Sequence, residues 1–359
     1  MTSPKPKPKR RQPTPTNQAS RSDSSISPKP YQLISFPKQK PKLGHPIGQD
    51  KYYTDRYHGT LYLTLTVQTA VHISTGVVAM GTDVKQKSIP LIKTMIQGSE
   101  ENLIIPGSSF KGVVRSVYEA ITNSTLAVVS PRYKQQIPPE RIPCKDKKHL
   151  CPASRVFGAL DWQGLIHFTD ARCQSVGFRA GFMPSLYRPR PEERQQYFKQ
   201  GKVAGRKFYY HTIRAIDKGK PINRGQQQGI PVQQATKEYH FTTQLHYRNL
   251  TLAELGTLLI VLGQDQAKYP IALKVGGGKP IGMGTMTVKV TKLEQATNLR
   301  DRYLSYQSTP NQLTEGQLQQ VMQQAIQKAH QELVQAQQLQ ELTAVLKYPT
   351  DREPPDGMY

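Results

Sequence analysis

The chain has 359 residues, which suits one large domain or two ordinary ones and leaves ample length for a hydrophobic core. Lysine and arginine outnumber aspartate and glutamate by 49 to 25, so the formal charge is +24 and the sequence pI is near 9.9. Such an imbalance is typical of proteins that bind a polyanion. No apolar run approaches the roughly 20 residues of a membrane span, and three cysteines are too few for a disulfide framework. We therefore expect a cytoplasmic protein without a membrane partner.

The first 50 residues differ from the rest of the chain in composition. They contain ten lysines and arginines, two aspartates and ten prolines. A segment of this kind cannot bury enough apolar surface to offset the loss of chain entropy, yet its charge can lie along phosphates. We predict a disordered basic arm over residues 1–50, a folded domain over 51–295 and a helical extension with a tail over 296–359.

The first strand and helix of the folded domain are indicated by their periodicity. From about Tyr57, apolar and polar residues alternate, which predicts a half-buried strand with the inward side chains Leu61, Leu63, Leu65 and Val67. Farther along, Ser108 or Ser109 can cap a helix. The apolar face of this helix is formed by Val113, Val114, Val117, Tyr118 and Ile121.

The second half of the domain continues this order of elements. Ile166 and Phe168 alternate in a second predicted strand. Thr251 and Glu254 form a capping box at the start of a second helix, and a last strand begins at Thr285. Strands and helices in this order predict an α+β fold with a ferredoxin-like (RRM-like) core, in which the helices cover one face of an antiparallel sheet.

Large insertions and a C-terminal helix complete the predicted architecture. Residues 125–160 and 175–240 have little apolar periodicity, and we expect the second insertion to carry contacts rather than core. A glutamine-rich helix follows from Thr314, with one apolar side formed by Leu318, Met322, Ala325, Ala329 and Leu333. This helix can pack on its own core, which we favour, or on a partner.

Glycines crowd the segment from Gly276 to Gly284, which we call the glycine loop. Glycine adopts positive φ freely and lets the backbone approach a ligand closely, so we expect phosphate contacts at Gly276, Gly277, Gly278 and Gly282, with Lys274 and Lys279 beside them. Lys279 is followed by proline and not by the serine or threonine of a Walker loop, which disfavours a nucleotide hydrolase. A tight turn between helix and strand is the alternative.

Several segments resemble the RAMP superfamily of CRISPR interference complexes. Besides the glycine loop, they are Ile105-Pro-Gly-Ser-Ser-Phe-Lys-Gly-Val-Val-Arg115, Leu150-Cys-Pro-Ala-Ser-Arg-Val-Phe-Gly158, Gly205-Arg-Lys-Phe-Tyr-Tyr-His211 and Phe241 through Leu255. Their order and spacing are most similar to those of guide-RNA-binding backbone subunits of type III, especially III-D-like, effector complexes. The resemblance implies that the helix start and the loops hold the phosphate backbone of the guide, which an inserted thumb kinks.

The residues at the helix start agree with this implication. Amides at a helix N-terminus carry partial positive charge, so an RNA phosphate can be held there by Ser108, Ser109, Lys111 and Arg115. Ordinary capping and a solvated helix face are the alternative. In the second insertion we assign Arg206 and Lys207 to RNA, whereas we expect the neighbouring Phe208 and Tyr210 to pack in the sheet.

Asp83 is the candidate catalytic residue. The segment Gly81-Thr-Asp83-Val resembles the family's short loop that bears the target-cleaving aspartate. A carboxylate there could hold a divalent cation, magnesium or manganese, which stabilises the charge that develops when the 2′-hydroxyl of the target attacks the adjacent phosphate. The alternative is that Asp83 only makes an Asx turn.

A structural zinc site is a further candidate. The zinc-capable residues in one short span are Cys144, His149 and Cys151. Related proteins often have another cysteine where this chain has Ser154, so a fourth ligand would have to come from elsewhere, such as His167 or Cys173. The alternative is a loop without metal whose thiols are buried.

The leading hypothesis is a binding module with possible built-in nuclease activity. Its partners would be the guide CRISPR RNA, a complementary target RNA and other CRISPR effector subunits. The alternative is a stand-alone endoribonuclease of the same superfamily, which would process precursor CRISPR RNA with His58 or His72 as general acid or base. Such processing enzymes usually have two ferredoxin-like halves, and this chain shows one core with a large insertion, which favours the subunit.

Overall fold

The computed structural model describes residues 30–186, 197–219, 228–295, 300, 304 and 311–355. In these ranges the helices are α1 (Gly107–Ile121), α2 (Pro152–Phe157), α3 (Leu252–Val261), α4 (Glu315–Glu332) and α5 (Ala336–Leu346). The strands are β1 (Tyr31–Ser35), β2 (Tyr57–Val67), β3 (Ser74–Met80), β4 (Leu91–Met95), β5 (Asn102–Ile105), β6 (Gly158–Ala159), β7 (Trp162–Gln163), β8 (Ile166–Phe168), β9 (Ala171–Val176), β10 (Arg179–Pro184), β11 (Phe198–Lys199), β12 (Lys202–Val203), β13 (Gly205–Tyr209), β14 (Gly229–Gln234), β15 (His240–Leu250), β16 (Leu273–Lys274), β17 (Thr285–Gln295) and β18 (Asn311–Leu313). Among the described helices, none has the length and apolar character that crossing a bilayer requires.

The central sheet has the topology of a ferredoxin-like domain. Its middle strands lie in the order β17, β2, β15 and then β8 with β9, and each is antiparallel to its neighbour. Helix α1 lies between β2 and β8 in the chain, and α3 lies between β15 and β17. This order of strands and helices confirms the predicted α+β fold with a ferredoxin-like core.

The two faces of the sheet differ in polarity because side chains alternate along each strand. On β2, the inward side chains Leu61, Leu63, Leu65 and Val67 are at most 2% exposed. The intervening Tyr62, Thr64 and Thr66 lie on the other, half-exposed face. The predicted inward set is therefore correct, and the hydrophobic core lies between the sheet and the helices.

The C-terminal helices belong to this folded body. Helix α4 packs along α3, and α5 packs against α1 and β1. The approach of α4 to α3 depends on Gly256, since a Cβ atom there would lie 1.8 Å from the backbone oxygen of Ala325. The glutamine-rich helix thus packs on the protein's own core, which is the alternative that we favoured from the sequence.

Order begins earlier in the chain than predicted. Tyr31–Ser35 forms β1, which pairs antiparallel with β13, and the Ser35 hydroxyl donates to Oε1 of Glu341 at 2.7 Å. The prediction of a disordered arm through residue 50 is therefore wrong for residues 30–50, because a strand of five residues gains its stability from a distant partner strand. Residues 1–29 of the predicted arm lie outside the described residues.

The helix starts differ in how their backbone amides are satisfied. The capping box of α3 is confirmed, since Thr251 Oγ1 accepts from the amide of Glu254 and the Glu254 carboxylate accepts from the amide of Thr251. Helix α1 instead begins at Gly107 after Pro106, without a side-chain cap from its own segment. Ser108 and Ser109 lie in the first turn and are exposed, so the predicted serine cap is wrong.

The second insertion contributes two strands to a second sheet. Strands β10 and β14 pair with β4 and β3 in the order β10, β14, β4, β3, and the contact between β14 and β4 is parallel. The prediction that this region carries contacts rather than core is wrong for part of it, because Val203, Val232 and Ala235 are at most 8% exposed. That prediction falls partly on residues 187–196 and 220–227, which lie outside the described residues.

Candidate nucleic-acid interface

A cleft of about 420 Å³ opens between α1, β13 and the glycine loop, and we call it the basic cleft. It brings together side chains that the sequence assigns to RNA from three distant segments, namely Arg115, Arg206, Lys207, Lys274 and Lys279. Among the described residues that line it, Glu119 is the single carboxylate. The cleft therefore concentrates positive charge at one place on the protein.

The arginines of the basic cleft are engaged with this carboxylate. Nε of Arg115 and Nη1 of Arg206 each lie 2.8 Å from a different oxygen of Glu119. Arg206 also donates through Nη2 to the backbone oxygens of Ser124 and Thr125 at 3.0 and 2.9 Å. Burial lowers the pKa of Arg206, while the adjacent carboxylate acts to raise it. Arg206 is thus part of an internal ion-pair network.

The lysines of the basic cleft are in a different situation. Within the part of the chain that the structure describes, no salt bridge includes Lys207, Lys274 or Lys279. Burial, and then the charge of Lys279, lower the pKa of Lys274 to about 7. Burial and the charge of Lys207 lower the pKa of Lys279. An anion bound here would relieve both the desolvation and the mutual repulsion of these amines.

The glycine loop owes its shape to glycine at positions where a side chain would not fit. Gly276 and Gly282 have φ angles of 78° and 90°, and a Cβ atom would lie 2.4 Å from the backbone oxygen of His72 and from Oγ1 of Thr212, respectively. The amides of Gly277 and Gly282 donate to the backbone oxygens of His72 and Lys279. These two amides are already hydrogen-bonded within the protein, so they are not available to a ligand. The polar side chain that the loop contributes to the cleft is that of Lys279.

A buried polar network supports the loop from below. Lys274 Nζ donates to the backbone oxygen of Gly282 at 3.0 Å and to Oγ1 of Thr285 at 3.2 Å. The Nε2 atom of His211 donates to the Ala272 backbone oxygen at 3.0 Å, so Nδ1 accepts from the Thr285 hydroxyl at 3.0 Å. Burial and the charge of Lys274 lower the pKa of His211 to about 3, which keeps this ring neutral. The sequence places His211 at the end of a family motif and Thr285 at the start of a strand, but no local pattern links either residue to Lys274.

The predicted contacts at the start of α1 do not join the basic cleft. Ser108 and Ser109 are exposed but do not line it. The amide of Gly107 donates to the carboxylate of Asp170 at 2.8 Å, so a negative group already occupies this helix terminus. Lys111 donates to the backbone oxygen of Ile166 at 3.0 Å, and burial followed by the charge of Arg115 lowers its pKa. Of this predicted group, only Arg115 reaches the cleft.

Asp83 lies apart from the basic cleft. It is exposed in a 3₁₀ turn, Gly81–Val84, that directly follows β3. The Thr82 hydroxyl donates to its carboxylate at 3.4 Å. Among the described residues, no group of three histidine, cysteine or acidic side chains is placed to hold a metal ion. A divalent cation at Asp83 would therefore take its other ligands from water and from RNA oxygens, as magnesium commonly does.

The zinc-capable residues do not assemble into a ligand set in the described part of the chain. Cys144 and Cys151 lie together, and the Cys151 amide donates to Sγ of Cys144 at 3.4 Å. The hydrogen bond between these thiols lowers the pKa of Cys151 and raises that of Cys144. Nδ1 of His149 lies 2.6 Å from Oδ2 of Asp146. The ring of His167 stacks with that of His246, and Cys173 lies in β9. Two thiols without further ligands do not fit tetrahedral zinc.

The candidate histidines of the processing enzyme are both buried. His58 is 6% exposed, and its two ring nitrogens meet the backbone oxygen of Tyr53 at 2.9 Å and the amide of Asn249 at 3.0 Å. His72 is 1% exposed, and its Nδ1 meets the backbone oxygen of Gln233 at 2.7 Å. Burial lowers the pKa of His72. Neither ring is placed to contact an RNA at the surface.

Comparison with known proteins adds one finding. A family model described as the RAMP superfamily matches residues 64–287, which is more than half of the chain. The match includes α1, α3, β13 and the whole glycine loop. No curated protein matches the chain.

Proposed function

Because the chain belongs to the RAMP superfamily, whose members are CRISPR-associated RNA-binding proteins, we propose that it is a guide-RNA-binding backbone subunit of a type III, III-D-like, effector complex. The observation that carries the RNA-binding role is the basic cleft, where Lys207, Lys274 and Lys279 have no carboxylate partner among the described residues. The assignment to type III rests on the order and spacing of the sequence motifs.

In this proposal Lys207 and Lys279 hold the phosphate backbone of the guide without reading its sequence, while the buried Lys274 lies beneath the glycine loop. Lysine acts as a point charge toward phosphate, and phosphate contacts position an RNA but carry no sequence information. The Arg115–Glu119–Arg206 network holds α1 and β13 in place on one side, and the Lys274–Thr285–His211 network holds the glycine loop on the other. Guide RNAs of any sequence can then occupy the same cleft.

Purification from cells that contain the whole complex tests this proposal. We expect the chain to arrive with a defined small RNA and with other RAMP-like subunits. A monomer without nucleic acid would contradict the RNA-binding role. Cleavage of precursor repeat RNA by the isolated protein without metal would favour the stand-alone processing enzyme instead, which the burial of His58 and His72 disfavours.

We further propose that Asp83 takes part in cleavage of the complementary target RNA. Its exposed carboxylate would hold magnesium or manganese, and this cation supplies charge stabilisation at the reacting phosphate. The test is an Asp83→Ala protein assembled with guide RNA, which should lose cleavage while it still binds the target. Asp55→Ala removes another exposed carboxylate and should cut normally. Target cleavage at every site and at the wild-type rate by Asp83→Ala would refute this role.

A further inference from the structure

Aromatic side chains form a second kind of wall in the basic cleft. Tyr133, Tyr197 and Tyr209 line it, and Nζ of Lys207 lies 4.9 Å from the ring centroid of Tyr209 and 5.2 Å from that of Tyr31. The Tyr31 and Tyr209 rings meet edge to face at 5.8 Å. Burial raises the pKa of Tyr197, as do the neighbouring tyrosines, while the charge of Lys207 opposes the shift. Tyrosines from separate segments of the chain thus surround one ammonium group.

Aliphatic side chains beside these rings are also accessible to solvent. Leu126, Ala127, Val128 and Val129 follow one another along the cleft, and none of them is buried. Val128 is 87% exposed. Phosphate gains nothing from such a surface, whereas an apolar ring would remove it from water. The cleft therefore offers two chemistries side by side, one suited to an anion and one to a flat apolar group.

We infer that the basic cleft takes one unstacked nucleobase of the bound RNA, with its ring against the tyrosines and the 126–129 segment and its phosphate beside Lys207 and Lys279. This inference rests on the proposed RNA-binding function. A volume of about 420 Å³ lies within the range of small-molecule pockets. Single-stranded RNA is commonly bound through bases that are splayed out and stacked on aromatic side chains.

The pocket accepts any of the four bases. Among the described residues, no asparagine, glutamine or aspartate lines it, and its two arginines and Glu119 are already bound to one another, so these groups are not free to read base edges bidentately. Stacking is sequence-tolerant because every base has a π-face. A base pocket of this kind suits a protein that must hold guides of different sequence.

The test compares two single strands of equal length, one ordinary RNA and one in which every nucleotide is abasic, bound to the full chain. We expect wild-type protein to bind the ordinary strand roughly tenfold more tightly, the effect of stacking one base on an aromatic ring. Tyr133→Leu and Tyr197→Leu should reduce this preference, whereas Tyr197→Phe, which keeps the ring, should retain it. Tyr62→Leu, on the open face of the sheet, should leave the preference unchanged.

Each other outcome overturns the inference in a distinguishable way. Equal binding of both strands by wild-type protein removes the base pocket but leaves the RNA-binding function in place. Binding of neither strand removes both. Loss of the preference in Tyr62→Leu but not in Tyr197→Leu would place the bases on the open sheet. Should a leucine variant fail to fold, photocrosslinking of wild-type protein to 4-thiouridine RNA decides, and we expect crosslinks to peptides with Tyr133 or Tyr197.

Discussion

Arg206 and Lys207 are neighbours in β13 and both line the basic cleft, yet their charges are satisfied in opposite ways. Arg206 is 9% exposed and is bound to Glu119 and to two backbone oxygens. Lys207 is half-buried, and its ammonium group faces tyrosine rings and the charge of Lys279. Successive side chains of a strand point to opposite faces, so one residue points into the protein and the other into the cleft.

The difference separates what holds the cleft together from what the cleft can bind. The arginines are compensated within the protein, so they contribute to its stability and offer little to a ligand. The lysines are uncompensated, so they disfavour the native state and favour an anion. Mutations in the arginine network should therefore change stability, whereas mutations of the lysines should change RNA affinity.

Removal of the shared carboxylate should have the largest effect, and it should be on stability. Glu119→Gln leaves Arg206 buried without its ionic partner, which we expect to lower the free energy of unfolding by about 3–5 kcal/mol. Denaturant unfolding without RNA measures this change. The control is Glu332→Gln, which breaks the exposed Lys328–Glu332 pair at 2.6 Å and should cost less than about 1 kcal/mol. Equal costs for the two variants would show that Glu119 is not a structural anchor.

Removal of the lysines should instead weaken RNA binding and spare stability. For Lys207→Gln combined with Lys279→Gln, we expect roughly 100-fold weaker binding of single-stranded RNA, as for the loss of two charge-assisted contacts. The salt dependence of log K should flatten by about 1.4, since each phosphate contact on a single strand contributes about 0.7. Fluorescence anisotropy over a range of salt concentrations measures both.

The matched control lies at the start of α1. Ser108→Ala with Ser109→Ala should change RNA affinity by less than about twofold, because these residues do not line the cleft and Asp170 already occupies the helix terminus. A larger loss in the serine variant than in the lysine variant would move the phosphate site to the helix start, as the sequence first indicated.

Local patterns explain which parts of the fold were predictable. The inward residues of β2 and the capping box at Thr251 follow from neighbours a few residues apart, so the sequence shows them directly. Strand β1 could not be foreseen, because its pairing joins Tyr31 to Tyr209 across about half of the chain. Asp170 likewise satisfies an amide 63 residues away, and no spacing rule predicts such a contact.

The candidate site shows the same limit. Family resemblance selected Arg115, Lys207 and Lys279, and the structure places all three in one cleft. The alternation of a strand predicts that Arg206 and Lys207 point in opposite directions, but not which of them points inward. That choice depends on Glu119, which lies 87 residues from Arg206 and becomes its partner only through folding.

The lysine beneath the glycine loop should make RNA binding depend on pH. The pKa of Lys274 is about 7 in the folded protein, and a bound polyanion raises it. Above about pH 7 binding must then take up a proton, so affinity should fall by up to about tenfold per pH unit as pH rises, and it should level off below pH 7. Lys274→Met should flatten this dependence, whereas Lys289→Met, on the open face of the sheet, should not.

The same group should act in the opposite direction on stability when RNA is absent. Its folded-state pKa lies below the ordinary 10.5, so between these values the unfolded chain binds more protons than the folded protein. The contribution of Lys274 to the free energy of unfolding therefore rises with pH from about 7 to about 10.5, and Lys274→Met should remove that rise. RNA affinity that falls with pH equally in wild type and Lys274→Met would assign the titration to another group. Lys279, whose pKa is also lowered, would then be the first candidate.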